Sequence, residues 1–257
     1  MTKKEKKLLQ FENIATGLLL LIIFIGCTSR GNENKLEIST IKTLDFPEPS
    51  GLAISADENF LWTVSDHDNT VYSISFDGKV LNKIKLDGKN LDLEGVAVVD
   101  DTTIAVIFEK QRKITLINID GEIIESVKLD LQGEKNAGLE GIAYDKKSQK
   151  FYVLNEKKPG LLLELNRELE VIGKKELDFA ADYSAIAYDD SLDILWILSD
   201  EDRTLFSCTT AGEVRHSYKI DVEQPEGVVV DRKRGKVYIV SDPLSKLYCF
   251  EPGKNIL

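Results

Sequence analysis

A short phrase that recurs five times constrains the fold of this chain more than any other feature. The phrase reads EPSGLAI, DLEGVAV, GLEGIAY, DYSAIAY and QPEGVVV, and its small central residue is Gly51, Gly95, Gly141, Ala185 and Gly227. Successive copies lie 44, 46, 44 and 42 residues apart. A repeat of this length that is rich in short β segments is typical of β-propeller blades and not of a helical solenoid. We therefore predict an all-β fold, a five-bladed β-propeller over residues 36–257.

Each repeat predicts one blade of four antiparallel strands. In the first repeat, apolar and alternating segments at 50–54, 61–66, 71–76 and 80–86 are separated by turns rich in Asp, Asn, Ser and Gly. The fifth repeat stops after its third strand, whereas residues 36–44 precede the first repeat with the composition of an outer strand. We predict that residues 36–44 pair with the third strand of the fifth blade and close the ring, which removes exposed sheet edges.

The N-terminus has the pattern of a bacterial lipoprotein signal peptide. A basic segment, MTKKEKK, is followed by a short apolar run at 17–26 that ends at Cys27. This run is shorter than a typical membrane span. We predict a signal peptide over 1–27, lipidation of Cys27, a flexible tether over 28–35, and an exported lipoprotein held at the inner or outer membrane. An uncleaved N-terminal anchor is the alternative.

The charge of the chain excludes one class of partner. The formal net charge is −11, and Met1–Cys27 carries four lysines and two glutamates, so the remainder has a net charge of about −13. A domain this acidic repels nucleic-acid phosphates, and we expect no nucleic-acid partner. Cations or basic partners are better suited to it, although acidity also serves solubility.

Superposition of the repeats shows acidic residues at two positions. Directly before the small residue stand Ser50, Glu94, Glu140, Ser184 and Glu226. At the end of the second strand of each repeat stand Asp66, Glu109, Glu156, Asp200 and Asp242. The first strand of a propeller blade lines the central channel. First strands start on the face where second strands end, which we call the top face, so we expect both rings of acids at that end of the axis.

Converging carboxylates predict a bound cation. Two charges about 5 Å apart repel by roughly 3 kcal/mol at an effective dielectric constant near 20. Oxygen ligands without His or Cys favour a hard ion, and Ca²⁺ more than Mg²⁺ because calcium accepts six to eight ligands in flexible geometry. For the second-strand acids, capping of the following turn is an equal alternative. Flanking basic residues can balance the acids; they are Lys110, Arg112, Lys113, Lys157, Lys158 and Arg203.

The repeated E-G-(I/V)-A phrase, the second-strand endings VSD, IFE, LNE, LSD and VSD, and the lipobox-like start together resemble the SdiA-regulated (YjiK-like) family of bacterial proteins. The resemblance covers roughly residues 36–257, and single copies of the phrase also resemble NHL-type propeller repeats. It implies a five-bladed propeller, membrane association and a calcium site near the centre. The matching residues are Glu94, Glu140 and Glu226, whereas Ser50 and Ser184 depart from the pattern. The resemblance implies no particular biochemical activity.

Two function classes fit these observations. The first is a non-enzymatic binding or scaffold lipoprotein, monomeric, that binds an unknown small molecule or protein at its top face. The second is a calcium-dependent hydrolase, similar to lactonases, esterases or phytases, that uses an axial metal. The chain has two histidines, His67 in a predicted turn and His216 in a predicted outer strand, and neither indicates a Ser-His-Asp arrangement. Trp62, Trp196, Cys208 and Cys249 are expected to be buried packing residues.

Overall fold

The chain forms five four-stranded antiparallel sheets in the computed structural model, which describes residues 34–88, 91–131 and 138–252. The first strand along the chain is β1 (Ile38–Thr43). Blade 1 contains β2 (Pro49–Ile54), β3 (Leu61–Ser65), β4 (Thr70–Ile74) and β5 (Val80–Lys85). Blade 2 contains β6 (Leu93–Val98), β7 (Thr103–Phe108), β8 (Lys113–Asn118) and β9 (Ile123–Lys128). Blade 3 contains β10 (Leu139–Asp145), β11 (Lys150–Asn155), β12 (Leu161–Leu165) and β13 (Val171–Glu176).

The last two blades complete the predicted architecture. Blade 4 contains β14 (Ala185–Asp189), β15 (Ile194–Ser199), β16 (Thr204–Thr209) and β17 (Val214–Lys219). Blade 5 contains β18 (Pro225–Asp231), β19 (Lys236–Ser241) and β20 (Lys246–Phe250), and its fourth strand is β1. The five-bladed, all-β prediction is therefore confirmed.

Closure of the ring by the N-terminal strand is also confirmed. Strand β1 pairs antiparallel with β20, with Ile41 opposite Tyr248. Leu36 and Leu44, at the two ends of this segment, are buried. Just before β1 the chain also contacts blade 4, because the N–H of Lys219 in β17 donates to the carbonyl of Asn34 at 2.9 Å. The ordered propeller therefore includes the last two residues of the predicted tether.

The remaining N-terminal predictions concern residues that the structure does not describe. The signal peptide over 1–27, the lipidation site Cys27 and the tether up to residue 33 lie outside the described residues. Within the described ranges, no helix has the length and hydrophobicity needed to cross a bilayer.

The apolar core is divided into five clusters, each formed between two neighbouring blades. The second strands β7 and β15 are buried along their whole length, which explains their nearly continuous apolar sequences, TIAVIF and ILWILS. Trp62 packs between blades 1 and 2, and Trp196 packs between blades 4 and 5, as predicted for packing residues. Cys208 and Cys249 are buried free thiols.

The repeated small residue allows the first strands to approach one another at the axis. A Cβ on Gly227 would lie 2.6 Å from the backbone carbon of Gly51, and a Cβ on Gly51 would lie 2.9 Å from the Cα of Gly95. Gly51 also has a φ of +57°, which disfavours other residues. This close packing directs the residue before each small residue towards the central channel.

Candidate metal centre

A cavity of about 200 Å³ opens on the top face, where the first strands start and the second strands end. The described residues that line it are Glu48, Ser50, Asp66, Glu94, Glu140, Glu156, Lys157, Asp182, Ser184, Asp200, Glu201, Glu226 and Asp242. Ten of these thirteen side chains are acidic, and one is basic. Seven of the eight predicted site residues line the cavity. The eighth, Glu109, lies beside it, with a carboxylate oxygen within 4.8 Å of those of Glu140 and Glu156.

The inner ring consists of Glu94, Glu140 and Glu226, each at the start of a first strand. Glu140 is only 9% exposed, and its carboxyl group has no hydrogen bond or ion pair within the described part of the chain. Burial, followed by repulsion from Glu94 and Glu226, raises the pKa of Glu140 well above its usual value. Burial likewise raises the pKa of Glu94 and of Glu226. An ionised inner ring is therefore costly unless a cation neutralises it.

The two serines of the inner ring have a structural role. The hydroxyl of Ser50 donates to the backbone carbonyl of Glu94 at 2.7 Å, and the hydroxyl of Ser184 donates to the carbonyl of Pro225 at 2.7 Å. Each serine thus connects its blade to the next one, and the charge of the inner ring comes from blades 2, 3 and 5 alone.

The outer ring consists of the acids at the ends of the second strands. Burial, followed by repulsion from Asp92, raises the pKa of Asp66 to about 6. Burial and a hydrogen bond with Asp92 raise the pKa of Glu109 to about 7. Burial also raises the pKa of Glu156, Asp200 and Asp242. Ionisation of the outer-ring acids is therefore unfavourable too, as it is for the inner ring.

Turn capping, the alternative for the outer ring, is performed by different residues. The side chains of Asp66, Asp200 and Asp242 accept no hydrogen bond from the turns that follow them, in the ranges that the structure describes. In blade 4, Asp182 accepts hydrogen bonds from the Ser199 hydroxyl at 2.5 Å and from the N–H groups of Asp200 at 3.2 Å and Glu201 at 3.1 Å. The carboxylates of Asp66, Asp200 and Asp242 thus stay available to a ligand, whereas Glu156 pairs with Lys157 of the following turn and Glu109 accepts from the N–H of Gly138.

Sequence reasoning missed a third acidic position, which Asp182 occupies in blade 4. It lies three residues before the small residue of each repeat, and it holds Glu48, Asp92, Gly138, Asp182 and Gln224. Asp92 accepts hydrogen bonds from the N–H of Lys110 at 3.1 Å and from its ammonium group at 2.6 Å. The signal that could have revealed the position is the recurrence of an acid or amide in four of the five repeats.

Two groups of three carboxylates are close enough to share an ion. Asp66, Asp92 and Glu94 form one, and Glu109, Glu140 and Glu156 form the other, with ligand atoms within 4.8 Å of one another in each. The group around Glu140 is the more buried. The N–H of Gly138 donates to Glu109 at 3.1 Å, and a Cβ at Gly138 would lie 2.5 Å from the Glu109 carbonyl. The glycine in blade 3 therefore leaves room for Glu109 to approach the axis.

Among the predicted flanking basic residues, Lys157 and Lys110 contact acids of the site. Lys157 lies 2.5 Å from Glu156 and 3.1 Å from Glu201, and Lys110 pairs with Asp92. Lys113 lies over the ring of Phe108 at 4.2 Å, and Arg112 donates to the carbonyl of Leu131. The two contacting lysines compensate only part of the negative charge.

The histidines do not build a catalytic triad with the ring serines. His67 is exposed beside the cavity, 3.5 Å from Glu48, and His216 lies in the outer strand β17. The hydroxyl protons of both ring serines point to backbone carbonyls. The groups that remain for chemistry in the cavity are carboxylates and one lysine.

Comparisons with known proteins agree with this architecture. The sequence model of the SdiA-regulated family matches residues 29–251. Glutaminyl cyclase from Myxococcus xanthus has a similar structure, with a TM-score of 0.67, 10% identity, and coverage of 84% of this chain and 97% of that one. Virginiamycin B lyase from Staphylococcus aureus also has a similar structure, with a TM-score of 0.52, 17% identity, and coverage of 81% of this chain and 68% of that one. These identities indicate a common propeller fold and carry no information on activity.

Proposed function

Since this chain belongs to the SdiA-regulated family, we propose that it is a calcium-binding propeller lipoprotein that binds a ligand and does not catalyse a reaction. The ion occupies the axial cavity, joins carboxylates from different blades, and stabilises the top face on which a small molecule or protein partner docks. The lipid anchor at Cys27 holds the domain at a membrane.

The observation that carries this proposal is the buried and unpartnered carboxyl group of Glu140. A buried carboxylate without a hydrogen bond or counter-charge is strongly unfavourable, so it either binds a proton or a cation. Glu140 sits within 4.8 Å of the oxygens of Glu109 and Glu156. The donor set consists of oxygen atoms only, which matches the ligand preference of Ca²⁺.

The residues that would hold the ion are Glu140, Glu109 and Glu156, with Glu94 and Glu226 of the inner ring next to them. Calcium, when bound, supplies the positive charge that these carboxylates lack. Asp66, Asp200 and Asp242 surround this group and raise the local concentration of cations at the mouth of the cavity. Because Ser50 and Ser184 replace glutamate in two blades, the site has no five-fold symmetry.

Membrane anchoring rests on the sequence of the N-terminal segment. The basic start, the apolar run at 17–26 and the cysteine at 27 support lipidation. Replacement of Cys27 by Ser is expected to move the protein from the membrane fraction to the soluble fraction on cell fractionation. Retention of the Cys27→Ser variant in the membrane fraction would favour an uncleaved apolar anchor instead.

A calcium-dependent hydrolase is the second candidate, and one observation favours it. The pKa of Glu109 lies near 7 in the metal-free protein, and in this second candidate Glu109 would act as the general base at neutral pH and not as a calcium ligand. The solved structures named above carry enzyme names, but the low identity restricts that likeness to the fold. Turnover of lactones, aryl esters or phosphomonoesters that requires Ca²⁺ and is abolished by Glu109→Gln would establish the enzyme over the binding protein.

Thermal unfolding of the full-length protein tests the calcium proposal. At a calcium concentration about 100 times Kd, mass action adds about 2.7 kcal/mol of stability, or roughly 5–10 °C in Tm. EDTA is expected to reverse the increase, and Glu140→Gln is expected to reduce it strongly. Glu168→Gln, at an exposed acid of blade 3, is the matched control and retains the full increase. A wild-type Tm that responds to neither calcium nor EDTA would contradict the proposal.

A further inference from the structure

A second cavity lies between blades 1 and 2, at the end of the blades opposite the carboxylate cavity. Its volume is about 490 Å³, and none of its lining residues belongs to the axial site. The turns that follow β2 and β6 form two of its walls, and β3, β4, β5, β7 and the segment after β8 contribute the remainder. We call this cavity the interblade groove.

The floor of the interblade groove is apolar and partly aromatic. The rings of Phe60 and Trp62 meet edge to face with their centroids 5.2 Å apart. Leu81 and Ile119 line the groove and remain 53% and 44% exposed. Exposed apolar side chains that are gathered in a concave surface indicate a binding site more strongly than scattered ones.

The rim of the interblade groove is purely anionic. Its charged residues are Asp57, Asp100, Asp101 and Asp120, and no basic residue is among the described residues that line it. Asp57 and Asp100 are held in their turns by hydrogen bonds, for example from the Ser55 hydroxyl to Asp57 at 2.6 Å. Asp101 and Asp120 accept no hydrogen bond or ion pair from the part of the chain that the structure describes. Two carboxylates on the rim are therefore free to bind a cationic group.

Charge and shape together define the ligand. We propose that the interblade groove binds a linear aliphatic polyamine, whose methylene chain lies on the apolar floor and whose ammonium groups pair with the aspartates of the rim. Ammonium groups also interact favourably with aromatic rings, and the rings of Phe60 and Trp62 line the groove. A simple metal ion would leave the apolar floor exposed to water, and an anion would meet only negative charge.

Titration calorimetry of the full-length protein with spermidine tests this proposal at fixed ionic strength. The wild type is expected to bind spermidine saturably at one site. Replacing both free rim acids, Asp101→Asn with Asp120→Asn, is expected to weaken binding at least tenfold. The control pair Glu168→Gln with Glu176→Gln removes two exposed charges from blade 3 and is expected to change the affinity less than twofold.

Fluorescence provides a second measurement that does not depend on these variants. The chain has two tryptophans, Trp62 in the groove and Trp196 buried between blades 4 and 5. Spermidine is expected to change the emission of the wild type and of Trp196→Phe, but not that of Trp62→Phe.

Equal weakening by both charge pairs would mean non-specific attraction to an acidic protein. Weakening by Glu140→Gln alone would assign the polyamine to the axial cavity. Each of these two results would overturn the proposal. Absence of saturable binding, or a preference for a lysine-rich peptide over spermidine, would also overturn it.

Discussion

At the scale of single residues, the carboxylates of the top face divide into two kinds. Asp92 and Asp182 are buried and accept hydrogen bonds from neighbouring groups, so their charge is compensated. Glu140 and Asp66 have raised pKa values because burial and other carboxylates oppose their ionisation. Aspartate therefore stabilises the fold at positions 92 and 182, whereas ionisation of the aspartate at position 66 is unfavourable.

The raised pKa values predict how the stability of the metal-free protein depends on pH. An acid whose pKa is higher in the folded state binds protons more tightly there, so its protonated form stabilises the fold at low pH. This stabilisation is lost as pH rises from the pKa of the unfolded state, near 4, towards the pKa of the folded state. For Asp66 and Glu109 this interval extends to about 6 and about 7. Over this interval, ionisation of each group is expected to lower the free energy of unfolding by an amount on the order of 1 kcal/mol, after allowance for solvent screening.

The measurement is Tm in EDTA between pH 5 and pH 8. Wild type is expected to lose more Tm over this range than Glu140→Gln, which lacks one ionisable group of the inner ring. Saturating calcium is expected to remove the difference in slope. Parallel curves for the two proteins in EDTA would show that Glu140 ionises without penalty.

At the scale of structural elements, each second strand ends at the cavity and is followed by a turn. The carboxylate of Asp182 caps the turn after β15 through three hydrogen bonds. The carboxylate of Asp66, after β3, faces the cavity without such bonds. Turn stability and ligand binding are therefore assigned to different acids that lie close together.

Alanine substitutions are expected to separate these two roles. Asp182→Ala leaves buried donors without an acceptor and is expected to lower the free energy of unfolding by about 1–3 kcal/mol. Asp66→Ala removes a repelled charge, so it is expected to leave the metal-free protein as stable as wild type or more stable, while weakening calcium binding. Urea unfolding in EDTA and in calcium measures both quantities. Equal destabilisation by the two variants would contradict the assignment.

The repeat predicted the blades and both acidic rings, because strand alternation and turn composition are local properties of the sequence. It did not predict which acids cap turns, because this depends on backbone conformation at the entry to the first strand. Asp92, which accepts hydrogen bonds from Lys110, has a φ value of 62°, which is uncommon for residues other than glycine. The close approach of Glu109 to Gly138 likewise depends on packing between blades 2 and 3.

At the scale of the whole propeller domain, β1 closes a ring that gathers acids from distant parts of the chain. Glu94, Glu140 and Glu226 come from three blades, and they meet in the cavity at the centre of the closed ring. The closing segment also buries Leu36 and Leu44 in the clusters that flank blade 5. Closure therefore links the stability of the domain to the geometry of the axial cavity.

Replacement of residues 36–44 by a Gly-Ser segment of equal length tests this link. Loss of two buried leucines costs about 2–5 kcal/mol each, so Tm is expected to fall by roughly 10 °C or more. Lys42→Ser, at an exposed position of β1, is the control and is expected to change Tm little. An unchanged Tm after the replacement would mean that the ring is stable without its fourth strand in blade 5.

The most direct test of the axial calcium site is anomalous diffraction from crystals of the protein grown with Ca²⁺. We predict one strong anomalous peak on the propeller axis, within coordination distance of the Glu140 carboxylate and of at least two further acids of the inner and outer rings. A fully calcium-exposed crystal with no peak on the axis, or with calcium only on the outer surface, would contradict the account.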